Sequence, residues 1–188
     1  VRVVRRAAEA ARAFGADGII GLGGGSSLDT AKVVALLANI DQSIEELFGV
    51  DLARGRRLPL IQVPTTAGTG SEVTWVSVLT DDTGQKKAIY APQLLPDIAL
   101  LDAELTLGMP SRVTAATGLD AMVHAIEAYT SRTRKNVISD ALATKALALL
   151  GRHIGPVLAD GSDVAARAAM LEGSMLAGIA FIHASVAS

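Results

Sequence analysis

Hydrophobic positions along the chain follow first a mixture of helical and strand periods and then a helical period alone. Val4, Ala7, Ala8, Ala11 and Phe14 fall at helical spacing with Gly15 behind them, which predicts an amphipathic helix over residues 2–14. The short apolar run Gly18-Ile19-Ile20-Gly21-Leu22 reads as a buried strand. It enters Gly23-Gly24-Gly25-Ser26, after which Leu28, Ala31, Val34, Ala35 and Ala38 resume the helical period, so the unit is strand, glycine loop, helix. A second apolar run, residues 58–63, meets Pro64-Thr65-Thr66-Ala67-Gly68-Thr69-Gly70-Ser71-Glu72, a small, polar stretch that predicts a loop unable to pack as a core element. Residues 73–80 and 86–90 read as strands flanking a hairpin turn at Asp81-Asp82-Thr83-Gly84, and 98–101 as another short buried strand. Beyond Pro110 strand signals end, and helical patterns cover residues 111–130, 137–151 and 163–187. The boundary falls near residues 107–110: an α/β domain over 1–108, then an all-helical domain over 109–188.

Composition narrows the chemistry. With 188 residues, 50% hydrophobic and 19% charged, the chain has the apolar material for a packed core and no compositional case for disorder. Its 17 Lys+Arg against 19 Asp+Glu leave a net charge of −2, which excludes a polybasic nucleic-acid binder. Cysteine is absent, so disulfides, thiolate zinc sites and cysteine nucleophiles are excluded, and any metal must be held by His and carboxylate. Residues 1–12 are rich in Arg and Ala and lack the apolar region of a signal peptide, so a cytoplasmic location is expected. The longest charge-free run, 173–188, contains Gly, Ser and His and falls short of the roughly 18 apolar residues of a membrane span; it reads as a buried helix, with no membrane partner. Arg5, Arg6, Arg12, Arg54, Arg56 and Arg57 have acidic neighbours and no interleaved aromatics, the pattern of solvated charge. Trp75 is expected in the core or at an interface.

Three segments bear chemistry. A strand that ends in Gly23-Gly24-Gly25-Ser26 and opens a helix gathers bare N–H groups and the positive end of the helix macrodipole, the geometry that binds phosphate. Ser26 is expected to cap that helix, with Asp29 completing a capping box. The segment lacks the Gly-Lys-Ser/Thr of a P-loop and the Gly-x-Gly-x-x-Gly order, and by itself it is equally a tight turn. Thr65, Thr66, Thr69 and Ser71 offer hydroxyls at the end of a strand, where open α/β sheets place ligands; alone, they are better read as a solvated connector. Thr117 and Asp120 have capping-box spacing, which predicts a helix start, and Asp120 and His124 then share one face. A carboxylate and an imidazole one turn apart can reach a single divalent cation, given at least one further ligand; the other reading is a capping Asp and an incidental His. His153 is expected at the surface and His183 packed within its helix.

Taken in order, Gly23-Gly24-Gly25-Ser26-Ser27-Leu28-Asp29-Thr30-Ala31-Lys32, the stretch from Pro64 through Thr74, and Ala116-Thr117-Gly118-Leu119-Asp120-Ala121-Met122-Val123-His124-Ala125-Ile126-Glu127 strongly resemble the iron-containing (group III) alcohol dehydrogenases. The likeness covers essentially the whole chain. It implies a dehydroquinate synthase-like architecture: a Rossmann-like parallel-sheet nucleotide-binding domain, then a helical domain, with NAD(P) and a divalent metal, Fe2+ or another such as Zn2+, in the cleft between them. By motif, Gly24, Gly25 and Ser26 would hold the pyrophosphate, and Thr65, Thr66, Thr69 and Ser71 would line the ribose and nicotinamide side. Asp29 would support the first loop, and Lys86, whose neighbour Lys87 competes for the register, and Leu101 match further cofactor-contacting positions. Asp120 and His124 match the first two metal ligands and are the implied catalytic residues; the remaining ligands would be histidines beyond Ser188, and further strands would precede Val1, so the chain reads as an internal fragment. The implied function is hydride transfer between nicotinamide and a small alcohol or aldehyde in a homo-oligomeric enzyme. The alternatives are a hydroxyacid–oxoacid transhydrogenase of the same superfamily and an inactive nucleotide-binding fragment.

Overall fold

The computed structural model of the chain describes residues 1–184, which fall into two compact units: Val1–Val63 with Thr74–Leu100, and Pro64–Val73 with the chain from Leu101 on. The last part of the helical pattern expected over 163–187 lies outside the described residues.

In the first unit, α1 (Arg2–Phe14) ends where Gly15 takes the left-handed conformation at φ 70° and returns its N–H to Ala11 and Arg12. Val4 and Ala8 are buried, but Phe14 is 88% exposed: it stands past Ala11, the last residue of that stripe packed on the core. The strands are β1 (Ile19–Gly23), β2 (Gly49–Val50), β3 (Leu60–Pro64), β4 (Val76–Thr80), β5 (Lys86–Tyr90) and β6 (Ile98–Ala99). One sheet has the order β1-β3-β6, with β3 and β6 parallel and Ile61 opposite Ile98. Helix α2 (Gly25–Leu37) lies on β1, where a Cβ at Gly21 would stand 2.8 Å from that of Ala31. Gln62 of β3 donates to the Leu28 carbonyl at 3.0 Å. The sequence pattern of a buried strand describes only this face. Ile20 and Leu22 point the other way and are 69% and 58% exposed, and Ile98 and Leu100 are exposed as well. Apolar content alone does not separate a strand covered on one face from one covered on both.

The second sheet has the order β2-β5-β4. The β4–β5 hairpin forms as expected, closed by Asp81, whose Oδ1 accepts from Thr83 N (2.8 Å), Thr83 Oγ1 (2.6 Å) and Gln85 N (3.0 Å). The Thr83 hydroxyl and the Lys87 ammonium hold the Asp81 carboxyl well below the usual carboxylate range. A two-residue strand, β2, joins β5 in parallel, and no sequence pattern announces it. Leu36, Ile44, Leu47, Ile89 and Leu94 form the core with Val4 and Ala8. Lys32 is buried beside it: its Nζ donates to Thr74 Oγ1 at 2.9 Å and to the Val76 carbonyl at 2.8 Å, and lies 3.6 Å from Asp29 Oδ1. Those partners offset the cost of desolvating the ammonium.

The second unit is built on α3 (Ser111–Thr130), α4 (Val137–Ala159) and α5 (Val164–Ala184). Their contact faces are Ala125, Ala128, Ala143, Ala146, Ala177, Ala180 and Ala184, small residues that let the helices approach closely. α4 is capped by Asn136, which accepts from Ile138 N and Ser139 N at 3.0 Å each. It runs past residue 151, where the sequence pattern ends, through Pro156 to Ala159, because Leu150 and Val157 both reach the core. α3 is continuous from Ser111, so no helix starts at Thr117; the Thr117 hydroxyl donates to the Val113 carbonyl at 3.0 Å in mid-helix. α5 is long and apolar enough to cross a membrane by length and composition, and half of its most apolar stretch is buried inside the structure.

Arg6, Arg54 and Arg56 are exposed, but Arg5, Arg12 and Arg57 are not simply solvated. Arg5 pairs with Glu45 and Asp82, and Arg12 donates to the Leu37 and Ile40 carbonyls. Arg57 grips Asp97 with both arms, Nη1 to Oδ2 at 2.7 Å and Nη2 to Oδ1 at 2.9 Å, while Leu60 N donates to the same carboxylate at 2.7 Å. The Arg57 guanidinium and that N–H hold the Asp97 pKa down to about 2. A carboxyl depressed in the fold contributes stability above its unfolded pKa of about 3.9, and that contribution disappears as pH falls toward the folded value. We predict that the urea midpoint of the protein declines between about pH 4 and pH 2, and that Asp97→Asn lowers the midpoint at neutral pH while flattening the decline across that window. Urea unfolding curves over this pH range, in both proteins, check it.

Candidate active site

At the end of β1, Gly23 has φ +141°, and a Cβ there would stand 2.7 Å from Ser27 Oγ, so this bend admits no side chain. Gly24, in extended conformation, is the N-cap residue of α2, and no side chain caps the helix. This corrects the expectation for Ser26 and Asp29. Ser26 sits exposed within the first turn, and the Asp29 carboxylate is engaged with β4, accepting from Val78 N at 2.9 Å, while the Asp29 carbonyl accepts from Ser77 Oγ at 3.0 Å. The helix starts two residues too early for a Ser26 cap to form. Ser27 N and Leu28 N turn back to the Gly24 carbonyl (2.9 and 3.1 Å), and the N–H groups of Gly25 and Ser26 precede this first turn of hydrogen bonds. They carry the partial positive charge of the helix end, the arrangement that receives an anionic oxygen.

The Thr/Gly loop belongs to the helical unit and is packed, against the expectation from its composition. Ala67 is buried in a cluster with Ala121, Leu150, Met170 and Leu171, and Gly68, Gly70, Ser71 and Glu72 are buried too. The missing bulk is what allows it: a Cβ at Gly68 would stand 2.8 Å from Thr117 Cβ. Thr65 and Thr66 are half-buried and Thr69 is exposed, its hydroxyl accepting from Ser71 N at 3.3 Å; residues Ser71–Val73 close the loop in a short 3-10 turn.

One turn beyond Thr117 on α3, Asp120 Oδ1 and His124 Nε2 lie 3.8 Å apart. The sequence spacing thus brings the two groups together on one face of a helix. The imidazole rests edge-on against Phe181 of α5, ring centres 4.9 Å apart, and its Nδ1 is buried without a hydrogen-bond partner among the described residues. The Phe181 contact has no sequence signal, since Phe181 is remote in the chain. A carboxylate oxygen and an imidazole nitrogen at this separation are suitable donors for one divalent cation, and in donor chemistry the pair fits. Among the described residues no third His, Asp, Glu or Cys joins them, so the pair accounts for part of a coordination shell.

The other expected positions are spread more widely. Lys86 is exposed at the start of β5, opposite Thr80; the neighbouring Lys87 is committed to Asp81 at 2.9 Å and to the Phe48 ring. Leu101 is half-buried where the chain enters the second unit. His153 Nδ1 lies 2.9 Å from the Leu149 carbonyl, and His183 is exposed, not packed as expected. Trp75 is half-buried, edge-on to Tyr90.

The chain belongs to the iron-containing alcohol dehydrogenase family: residues 1–103 match the family's model of that name, and residues 114–188 match the model of the family's C-terminal part. Among its relatives, the sulfoacetaldehyde reductase of Bilophila wadsworthia is 46% identical over 179 residues, covering 95% of this chain and 46% of that protein. The long-chain-alcohol dehydrogenase 1 of Geobacillus thermodenitrificans is 47% identical over 186 residues, covering 95% of this chain and 47% of that one. Among solved structures, the sulfoacetaldehyde reductase of Bifidobacterium kashiwanohense in complex with NAD+ matches with a TM-score of 0.90 and 37% identity, over 96% of this chain and 48% of that one. The chain spans about half the length of the relatives it matches.

Because Gly23 combines a left-handed φ with a Cβ position occupied by Ser27, we predict that Gly23→Ala destabilises the first unit by about 1–3 kcal/mol. Thermal or urea unfolding of the variant beside the parent protein measures it.

Proposed function

We propose that the protein is an NAD(P)- and metal-dependent oxidoreductase that moves a hydride between nicotinamide and a small alcohol or aldehyde. The observation that carries this reading is the first turn of α2, left without a side-chain cap behind a bend that only glycine can make. A pyrophosphate oxygen at Gly24, Gly25 and Ser26 accepts from those N–H groups and is favoured by the helix end. The hydroxyls of Thr65, Thr66, Thr69 and Ser71 supply hydrogen bonds for the ribose and nicotinamide side. Asp29 acts at one remove, fastening α2 to β4 through Val78 N and Ser77.

Asp120 and His124 would hold the cation, together with ligands beyond this pair. A divalent cation there supplies Lewis acidity, lowering the pKa of an alcohol hydroxyl or polarising an aldehyde carbonyl. Asp120 presents an anionic oxygen, and Phe181 fixes the plane of the His124 ring, so that Nε2 faces the carboxylate. A nicotinamide nucleotide held by Gly24, Gly25, Ser26 and the Thr65–Ser71 hydroxyls would supply the hydride acceptor in oxidation and the hydride donor in reduction, the hydroxyl proton being exchanged with solvent. Support comes from the family match and from relatives named as an aldehyde reductase and an alcohol dehydrogenase, one of the former solved with NAD+.

The test is aldehyde reduction followed by NADH or NADPH oxidation with added ferrous iron, in the parent protein and in Asp120→Ala and His124→Ala. Each substitution is expected to lower kcat/KM by about a hundred-fold or more and to reduce bound metal, with NADH affinity little changed. Unchanged turnover and metal content in both variants would remove the metal assignment; turnover without added nucleotide would favour the transhydrogenase.

A further inference from the structure

α5 meets the Thr/Gly loop through bare main chain. A Cβ at Gly178 would stand 2.9 Å from the Gly70 carbonyl oxygen, 3.0 Å from Gly70 Cα and 3.2 Å from Val73 Cγ2. Reciprocally, a Cβ at Gly70 would stand 2.8 Å from Gly178 Cα and 3.1 Å from the Ser174 carbonyl oxygen. No side chain lies between the two backbones, so neither can yield by rotating a rotamer; a methyl group at either position displaces the loop or the helix. Gly70 itself is left-handed, at φ +61°. Two residues earlier the same loop rests on α3, where a Cβ at Gly68 would stand 3.1 Å from the Thr117 carbonyl oxygen. Thr69, the exposed residue between these two anchors, is therefore presented at a height set by α3 on one side and α5 on the other. Ser174, one turn before Gly178, is 1% exposed and its hydroxyl has no hydrogen-bond partner among the described residues. A buried hydroxyl left unpaired opposes folding, so this part of α5 is not arranged for stability alone.

We infer that Gly178 is a positioning residue for the nicotinamide nucleotide: by admitting Gly70 to direct contact with the α5 backbone, it sets where the Thr65–Ser71 hydroxyls stand. The inference rests on the reading that those hydroxyls line the nucleotide. Gly178 touches no ligand and acts wholly through the loop. Gly173, five residues earlier on the same helix, is the matched comparison: it is equally buried, and a Cβ there would stand 2.8 Å from Leu150 Cγ, a core side chain, with the loop absent from its near neighbours.

Gly178→Ala and Gly173→Ala are made in the purified protein, and NADH and NADPH affinities are measured by fluorescence titration beside melting temperatures. Both variants are expected to melt lower, but only Gly178→Ala is expected to bind nucleotide about ten-fold more weakly or worse, and to raise KM for nucleotide more than it lowers kcat. Nucleotide affinity equal to the parent in Gly178→Ala, or an equal loss in Gly173→Ala, overturns the inference while leaving the functional reading intact. If Gly178→Ala does not fold, Gly68→Ala, which lifts the same loop off α3, is expected to weaken nucleotide in the same way, and unchanged affinity there overturns the inference. A parent protein that binds neither nucleotide overturns the functional reading, and the inference with it.

Discussion

The absence of a Cβ at a handful of seams is the constraint on which both units depend. α2 reaches β1 because Gly21 leaves room for Ala31, β1 turns into α2 because Gly23 has no side chain to strike Ser27, and the Thr/Gly loop enters the helical unit because Gly68 and Gly70 can lie on backbone. Close-packed interiors leave no slack at such contacts. The two segments we propose for the nucleotide are those with the least side chain, as a ligand that reads backbone N–H groups and short hydroxyls would require the main chain brought near it and held there.

Where side chains do enter the first unit's framework, they are charged and paired. Lys32, with no exposed surface, is held by Thr74, the Val76 carbonyl and Asp29, and Asp29 in turn receives Val78 N. This arrangement explains why the α2 terminus is uncapped. The acidic residue that the spacing offers as a capping partner is committed to β4, so the N–H groups of the first turn have no competing carboxylate. A network that fastens a helix from its side leaves its end available.

Much of the secondary structure was legible because it is written in local terms. The stop of α1 at Gly15 is a left-handed cap, the 81–84 turn is an aspartate gathering its own backbone, and the pairing of Asp120 with His124 follows from helical geometry alone. The failures share a cause, which is that the deciding neighbour is far away in sequence. Ile20 and Leu22 look like core because a run of apolar residues does not say which of its faces is covered. The last turns of α4 lie beyond the helical pattern of 137–151 because Val157, which carries them on, packs with Ala166 and Met170, residues of another helix. The loop after Pro64 was read as unpackable because low bulk suggests exposure, when here it permits contact with α3 and α5. Likewise, Phe181 against the His124 ring joins residues more than fifty positions apart.

The alanine faces of α3, α4 and α5 have a bearing on how such a scaffold can diversify. With contact residues already near the lower limit of size, Ala125, Ala143, Ala177 and their neighbours offer almost no route to remodelling by enlargement, and little by shrinkage. Novelty in specificity therefore has to be written on the rim, in side chains that end in solvent. The interior is a fixed chassis, and its close packing is what lets the surface vary without Asp120 and His124 drifting apart.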